Sequence, residues 1–192
     1  MQNYKTITLK RGKEESLLRF HPWVFSGAIA DLPKDIEEGD IVKVVASDGR
    51  SLGVGHYEIG SIAVRMLSTD EISIDDSFFA DRLSQAWALR ERLGLIRPDN
   101  TTFRLVHGEG DFLPGCVVDV YGNTAVLQAH SPGMHYARHI IAKTLTELPG
   151  AGIKNVYYKS ETTLPYKARL DPVNDYIIGG FETNIAVENG LK

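Results

Sequence analysis

The segment from Arg104 to Asn123 constrains the fold more than any other part of the chain, because it carries the signals of a complete β-hairpin. Pro114-Gly115 predicts a tight corner, since proline fixes φ and glycine accepts a positive φ. Cys116 to Val120 is predicted to be a buried strand. The turn Tyr121 to Thr124 then leads into a second strand, Ala125 to Ala129. We therefore expect this hairpin at the centre of a β-rich core.

The same segment is unusually polar for a buried hairpin, because it combines Arg104 with the acids Glu109, Asp111 and Asp119. The favoured interpretation is a structural network in which the cation ties a loop to the hairpin by charge-assisted hydrogen bonds. The alternative makes Glu109 and Asp111 an acid/base pair or metal site beside His107, as in a small hydrolase. Their spacing matches no metal-ligand pattern, so no metal site is predicted.

Composition restricts the class of protein further. The chain has 192 residues, a net charge of −4 and one cysteine. The negative charge excludes a uniformly basic nucleic-acid binder but allows a local basic patch. A single cysteine forbids an internal disulfide and fits a reducing compartment, and no apolar run is long enough to span a membrane. We therefore expect a cytoplasmic protein without a membrane partner.

Residues 1–72 read as a series of short strands separated by glycine-rich turns. The predicted strands are Tyr4 to Leu9, Ile41 to Ala46, Ser51 to Tyr57 and Ile62 to Leu67. Strands of this length and spacing favour a compact β-barrel.

The N-terminal end of the chain is basic although the whole chain is acidic. Residues 1–25 contain five Lys or Arg side chains and only two Glu. The candidate RNA-binding residues are Lys10, Arg11, Lys13, Arg19, His21 and Trp23. Cations pair with phosphates and aromatic rings stack on unpaired bases, so this combination suits RNA. The alternatives, which stay open, are that Trp23 is a core residue of the barrel and that the cations are merely solvated.

Residues 73–192 are predicted to begin with a helix over 76–93, capped by Asp75 or Asp76 and stopped by Gly94. Its apolar residues recur at helical spacing, whereas Arg82, Arg90 and Arg92 are assigned to a solvated face. After the hairpin, Ser131-Pro132 starts a second helix. Three further strands are expected at Ile153 to Lys159, Tyr176 to Ile178 and Glu182 to Glu188. The predicted fold class is thus α+β: a β pseudo-barrel followed by a β-β-α-β-β domain.

Two motifs resemble a known family. The first is the order Arg104-Leu-Val, Glu109-x-Asp111, Leu113-Pro-Gly and Asp119-x-Tyr-Gly; the second is His21-Pro-Trp-Val-Phe-Ser, about 80 residues upstream. Together they resemble the N-terminal half of the PUA-domain, SAM-dependent rRNA methyltransferases (the RlmI-like 23S rRNA cytosine-C5 enzymes). The resemblance implies a PUA-like RNA-binding barrel, a hairpin bordering the substrate cleft, and 23S ribosomal RNA as partner.

The catalytic features of that family are not found in the sequence. No glycine-rich turn follows a strand and opens a helix, as a SAM site in a class I methyltransferase domain requires. The only candidate nucleophile, Cys116, is predicted inside an apolar strand, where an inert thiol is expected. We therefore predict no catalytic residue and no cofactor in this chain, with SAM implied only for the full-length family member. The sequence indicates an RNA-binding, substrate-presenting N-terminal part; the alternatives are a stand-alone RNA-binding adaptor and, for assembly, a homodimer.

Overall fold

A computed structural model describes residues 4–165, 168–170, 172–183 and 185–192, which form a mixed α+β fold with two sheets. The N-terminal sheet is six-stranded and curled into a half-barrel, with the order β2-β6-β5-β4-β1-β3. Only β1 and β4 pair in parallel. Its strands are β1 (Lys5–Leu9), β2 (Trp23–Phe25), β3 (Ile29–Asp31), β4 (Ile41–Val45), β5 (Ser51–Tyr57) and β6 (Ile62–Ser68), with the one-turn helix α1 (Glu15–Leu18) between β1 and β2.

The C-terminal sheet is five-stranded, with the order β11-β10-β9-β8-β7, and only β9 and β10 are parallel. A long helix, α2, leads into this sheet, and two short helices connect β9 to β10. The elements are α2 (Asp76–Arg92), β7 (Thr102–His107), β8 (Cys116–Tyr121), β9 (Thr124–Ala129), α3 (Pro132–Tyr136), α4 (Arg138–Glu147), β10 (Asn155–Tyr158) and β11 (Asp175–Ile178).

The predicted hairpin and both helix starts are confirmed. β8 and β9 pair in antiparallel register from Cys116 opposite Ala129 to Tyr121 opposite Thr124. The Asp75 carboxylate accepts hydrogen bonds from the backbone N–H groups of Ser77 and Phe78, which caps α2. The Ser131 hydroxyl caps α3 through the N–H of Met134, with Pro132 at the first helical position. These local signals suffice because each satisfies backbone groups within a few residues.

The predicted β-β-α-β-β order is wrong in two respects. Thr102–His107 forms a full strand, β7, because it pairs along its length with β8. Residues 182–188 form no strand over the positions that the structure describes there. Instead of pairing along a strand, this part of the chain exchanges hydrogen bonds with a single residue, Thr101, whose N–H donates to the Val187 carbonyl at 2.7 Å and whose hydroxyl accepts from the Val187 N–H at 2.9 Å; Glu182 and Glu188 make further single contacts. Alternating apolar residues do not make a strand without a neighbouring edge to pair with.

The two sheets share a hydrophobic core. A separate cluster fills the inside of the half-barrel, whereas Val54 and Leu67 of the N-terminal sheet belong to the same buried cluster as α2 and the C-terminal sheet. Val54 is fully buried and Leu67 is 2% exposed. Burying side chains of this size is worth about 1.5–3 kcal/mol each, so the contact couples the two sheets energetically.

A second contact between the sheets brings α3 against β5 and the loop before β4. A Cβ at Gly133 would lie 2.2 Å from the His56 ring, and a Cβ at Gly39 would lie 2.4 Å from the Tyr136 ring. Close packing against the buried His56 therefore requires glycine at position 133, and at Gly39 the positive φ of +88° favours glycine as well. His56 itself is 4% exposed, and its Nδ1 has no hydrogen-bond partner among the described residues.

Burial lowers the pKa of His56 to about 4, because the imidazolium form cannot be solvated there. The unfolded chain, with a pKa of about 6.5, binds the proton first as the pH falls, so folding stability drops below about pH 6.5 and keeps dropping to about pH 4. Between pH 7.5 and pH 5, His56 should cost about 2 kcal/mol of unfolding free energy. Urea melts of the wild type and His56→Leu at both pH values measure this difference.

The matched control is His139→Leu, which changes an exposed histidine in α4. Its pH dependence should follow that of the wild type. A His56→Leu protein that loses as much stability as the wild type between the two pH values would show that His56 is solvated in the folded state.

Candidate functional site

The predicted basic residues lie in one exposed segment, the connection between β1 and β2 of the N-terminal sheet, which we call the basic rim. Lys10, Arg11 and Lys13 occupy the β1–α1 loop and Arg19 follows α1, and all four are exposed. The Lys10 ammonium donates to the Gly27 carbonyl at 2.9 Å, which places the loop beside the end of β2. Arg19 is held only weakly, by an exposed contact of 3.7 Å with Glu15 in the previous turn. These cations are available to an anionic partner.

Aromatic side chains border the same rim. The His21 ring centroid lies 5.5 Å from that of Trp23 and 6.0 Å from that of Phe25. Phe25 is 47% exposed and lines a shallow cleft together with Lys13. Phe25 was not among the predicted site residues, although it stands in the same motif two positions after Trp23.

Trp23 is neither a barrel core residue nor a free ring, because it connects the two sheets. Its indole N–H donates to Glu109 Oε1 at 2.8 Å. The guanidinium of Arg65, on β6, lies 5.6 Å from the indole centroid and donates to the same carboxylate oxygen at 3.2 Å. Glu109 thus receives a neutral and a charged donor from the N-terminal sheet, in a turn that belongs to the C-terminal sheet.

A second carboxylate, that of Glu58, contacts the same arginine. Arg65 Nε lies 3.0 Å from Oε1 of Glu58, an ion pair without good hydrogen-bond alignment, and the Glu58 side chain is only 8% exposed. Burial raises the pKa of Glu58, and the neighbouring Arg65 only partly opposes that rise. The sequence offered no reason to select Arg65. A single arginine within an apolar strand has no pattern that separates a functional residue from a structural one.

Asp111 pairs with Arg90, which corrects the assignment of Arg90 to a solvated face of α2. The Arg90 guanidinium makes a buried, bidentate pair with the Asp111 carboxylate; its Nη1 contacts Oδ1, and its Nη2 lies 2.8 Å from Oδ2. Arg90 Nε also donates to the Arg104 carbonyl at 2.9 Å, and Asp111 accepts from the His107 N–H at 2.6 Å. The pair ties α2 to the turn between β7 and β8. The buried face of α2 was predicted from its apolar residues alone, so it did not include Arg90. The residue that allows this cation to be buried, Asp111, lies 21 positions away and gives no signal within the helix.

Arg104 pairs with Asp119 across β7 and β8. Nε and Nη2 of Arg104 lie 2.8 and 3.0 Å from the two carboxylate oxygens, and the pair raises the pKa of the guanidinium further. The Arg104 side chain is 47% exposed, unlike that of Arg90. The predicted network therefore separates into a buried pair, an exposed pair and the Glu109 junction.

A cleft of about 290 Å³ opens beside this network, lined by Trp23, Arg65, His107, Glu109, Cys116 and His130 among others. Cys116 is completely buried, and burial together with the nearby Asp111 raises the pKa of its thiol to about 12. Such a thiol carries almost no thiolate near neutral pH, which is the state of an unactivated structural cysteine. No group of three potential metal ligands occurs among the residues that the structure describes. With Glu109 and Asp111 each paired to an arginine, the geometry gives no support to a hydrolase.

Comparisons with known proteins identify the region. Residues 7–69 match the model of a PUA-like domain. Over 97% of its length the chain is 40% identical to Ribosomal RNA large subunit methyltransferase I of Alteromonas mediterranea, and also 40% identical to that of Shewanella amazonensis. The chain spans about half of these relatives, since it covers 47% of their length.

Solved structures give the same fold. A candidate SAM-dependent methyltransferase from Streptococcus mutans matches 97% of the chain with a TM-score of 0.77 and 16% identity, and 46% of that protein is covered. At that identity the match concerns the fold alone. Within the described residues, no helix has the length and apolarity that crossing a bilayer requires.

The two arginine pairs differ in burial, which predicts different effects on stability. Arg90→Met leaves the Asp111 carboxylate buried without its cation and should lower the free energy of unfolding by about 3–5 kcal/mol. Arg104→Met breaks a second bidentate pair, in which the arginine is 47% exposed and open to water, and should cost less than about 1 kcal/mol. Methionine keeps most of the alkyl chain in both variants, so urea melts compare the charges rather than the packing. Similar losses for the two variants would contradict the assigned burial.

The resemblance that the two motifs indicated is thereby confirmed: the chain is similar along nearly its whole length to the N-terminal part of the RlmI-type rRNA methyltransferases, and residues 7–69 match a PUA-like domain.

Proposed function

We propose that this chain is the RNA-binding and substrate-presenting N-terminal part of a SAM-dependent rRNA cytosine-C5 methyltransferase. The observation that carries the proposal is the 40% identity over 97% of the chain to rRNA methyltransferases, of which it covers 47%. Ribosomal RNA, most simply the 23S molecule, is the partner that these relatives suggest. We propose the cytoplasm as its location, because that is where a bacterial rRNA partner is found.

The arrangement of charges supports RNA binding at the N-terminal sheet. The four exposed cations Lys10, Arg11, Lys13 and Arg19 lie on one rim, although the whole chain has a net charge of −4. Phosphate contacts by lysine and arginine supply most of the sequence-independent affinity for nucleic acid. The exposed rings of His21 and Phe25 stand beside them and present surfaces on which bases stack. We assign the RNA-binding face to this rim.

The residues described do not fit a SAM site, and we assign the cofactor to none of them. Two parallel crossovers occur among the described residues. The one from β1 to β4 leads only into the one-turn helix α1, whereas the one from β9 to β10 has its strand-to-helix turn at His130 to Gly133. A SAM site there would need the glycine backbone to face the ligand. At Gly133 that space is taken by the His56 ring, which a Cβ would approach to 2.2 Å. Methyl transfer by a family member therefore requires a methyltransferase domain that is not formed by these residues.

The Glu109 junction between the two sheets has a separate role in this proposal. The bond from Trp23 to Glu109 and the pair between Arg65 and Glu109 fix the β7–β8 turn against the N-terminal sheet. An RNA held on the basic rim would thereby keep a constant orientation toward the β8–β9 hairpin. We propose that this hairpin borders the substrate cleft.

The proposal predicts salt-dependent binding to structured RNA. With about four phosphates neutralised, the logarithm of the association constant should fall with the logarithm of salt concentration with a slope of roughly −3. Changing Lys10, Arg11, Lys13 and Arg19 together to Ala should weaken binding and remove most of this slope. Filter binding to a 23S rRNA fragment at several salt concentrations measures both quantities.

A matched control changes four other exposed cations to Ala: Arg92, Lys143, Lys154 and Lys159. It has the same net charge as the test variant, so general electrostatic repulsion affects both equally. Equal affinities for the two variants would show that the rim is not the RNA-binding face.

A further inference from the structure

A second feature of the surface is a cleft of about 370 Å³ between the α1–β2 loop and the turn that precedes β8. Phe20 and Phe112 both line this cleft, one from each side of the junction between the sheets. Their side chains are 81% and 63% exposed. Exposed phenylalanines are costly on a surface without a partner, and two in one cleft suggest a ligand with apolar faces.

The backbone at both phenylalanines is unusual. Phe20 has φ +61° and Phe112 has φ +56°, each immediately after a short helical turn. Glycine normally occupies such left-handed positions, because any side chain there is strained. Two of the four non-glycine residues with positive φ among the described positions are thus the two exposed rings of one cleft. Strain of this kind is typical of ligand-contacting loops.

Arg82 supplies a cation beside the rings. Its guanidinium carbon lies 5.3 Å from the centroid of Phe112 and 5.2 Å from that of Phe78, and its Nη2 donates to the Leu67 carbonyl at 3.3 Å. Its Nε is buried and has no hydrogen-bond partner among the described residues. The side chain is therefore held in place, and its Nη1, which makes no hydrogen bond to the described residues, is the donor left for a ligand.

The charged side chains that line the cleft have one sign. None of the residues that line it is acidic, and neither is any residue of the adjoining cleft of about 160 Å³, which begins on the Phe20 side and includes the exposed Arg50. The two side chains of fixed charge that line the clefts, Arg82 and Arg50, are therefore both basic. A flat apolar ligand with an anionic attachment matches the two clefts together.

We infer that this cleft receives one unpaired base of a single-stranded RNA segment. Phe20 and Phe112 offer the stacking faces, Arg82 donates to the edge of the base, and Arg50 lies toward the adjoining phosphate. This inference rests on the proposed RNA-binding function and adds to it a second contact point, distinct from the basic rim. A base-paired strand cannot use the cleft, because its bases are stacked on each other.

The test uses the complete chain and a single-stranded RNA that contains 2-aminopurine, whose fluorescence changes when the base stacks on a ring. Phe20→Ala and Phe112→Ala should each weaken binding about tenfold, within the range that alanine substitution of one stacking ring produces. Both should also lose the fluorescence change. Binding to a blunt-ended duplex of the same length should be the same for the wild type and the variants.

The control is Phe181→Ala, which removes an 85% exposed phenylalanine that does not line the cleft. It should bind like the wild type. Single-stranded binding and fluorescence that stay unchanged in Phe20→Ala and Phe112→Ala would overturn the inference, even if the wild type binds RNA through its basic rim. The same result accompanied by lost self-association in sedimentation would assign the cleft to a contact between copies. A wild type that binds no RNA would overturn the proposed function and this inference together.

Discussion

The shared core between the two sheets is the constraint on which the remaining structure depends. Val54 and Leu67 belong to strands of the half-barrel, but their side chains pack in the buried cluster formed by α2 and the C-terminal sheet. Their burial contributes several kcal/mol in total, a large part of the net stability of an ordinary domain. Because this contact is apolar and non-directional, it holds the two sheets together but does little to fix their relative orientation. The polar groups at its edge must supply the orientation.

Three polar contacts lie at this edge, and their contributions differ because they are buried to different degrees. The Arg90–Asp111 pair fixes α2 against the turn before β8, and it is costly to disrupt because both charges are desolvated. Glu109 then joins this turn to Trp23 and Arg65 of the other sheet. Arg104 and Asp119 lie at the exposed end, where water screens them and their contribution is small. The four charged residues of one sequence motif therefore have different physical roles.

Local elements were predictable from the sequence, whereas contacts between distant residues were not. The caps at Asp75 and Ser131 and the turn at Gly122 act within a few positions, so their signals are readable. The burial of Arg90 depends on Asp111, and the position of Trp23 depends on Glu109, 86 residues away. The exposed Phe20 and Phe112 were missed for another reason: a left-handed φ at phenylalanine has no sequence signature. The resemblance to the rRNA methyltransferases rested on the order of two motifs, and it predicted the comparisons correctly.

The central claim, that the two sheets form one cooperative unit, can be tested with the chain's two tryptophans. The variant Trp87→Phe keeps only Trp23, in β2, and so reports on the N-terminal sheet. The variant Trp23→Phe keeps only Trp87, in α2, and so reports on the helix that packs on the C-terminal sheet. Urea unfolding of each variant is followed by tryptophan fluorescence and by far-UV circular dichroism. A shared core predicts that the two signals coincide within each variant. A fluorescence transition of Trp23 that is complete before the circular dichroism of the same variant changes would contradict the account, because the half-barrel would then unfold independently.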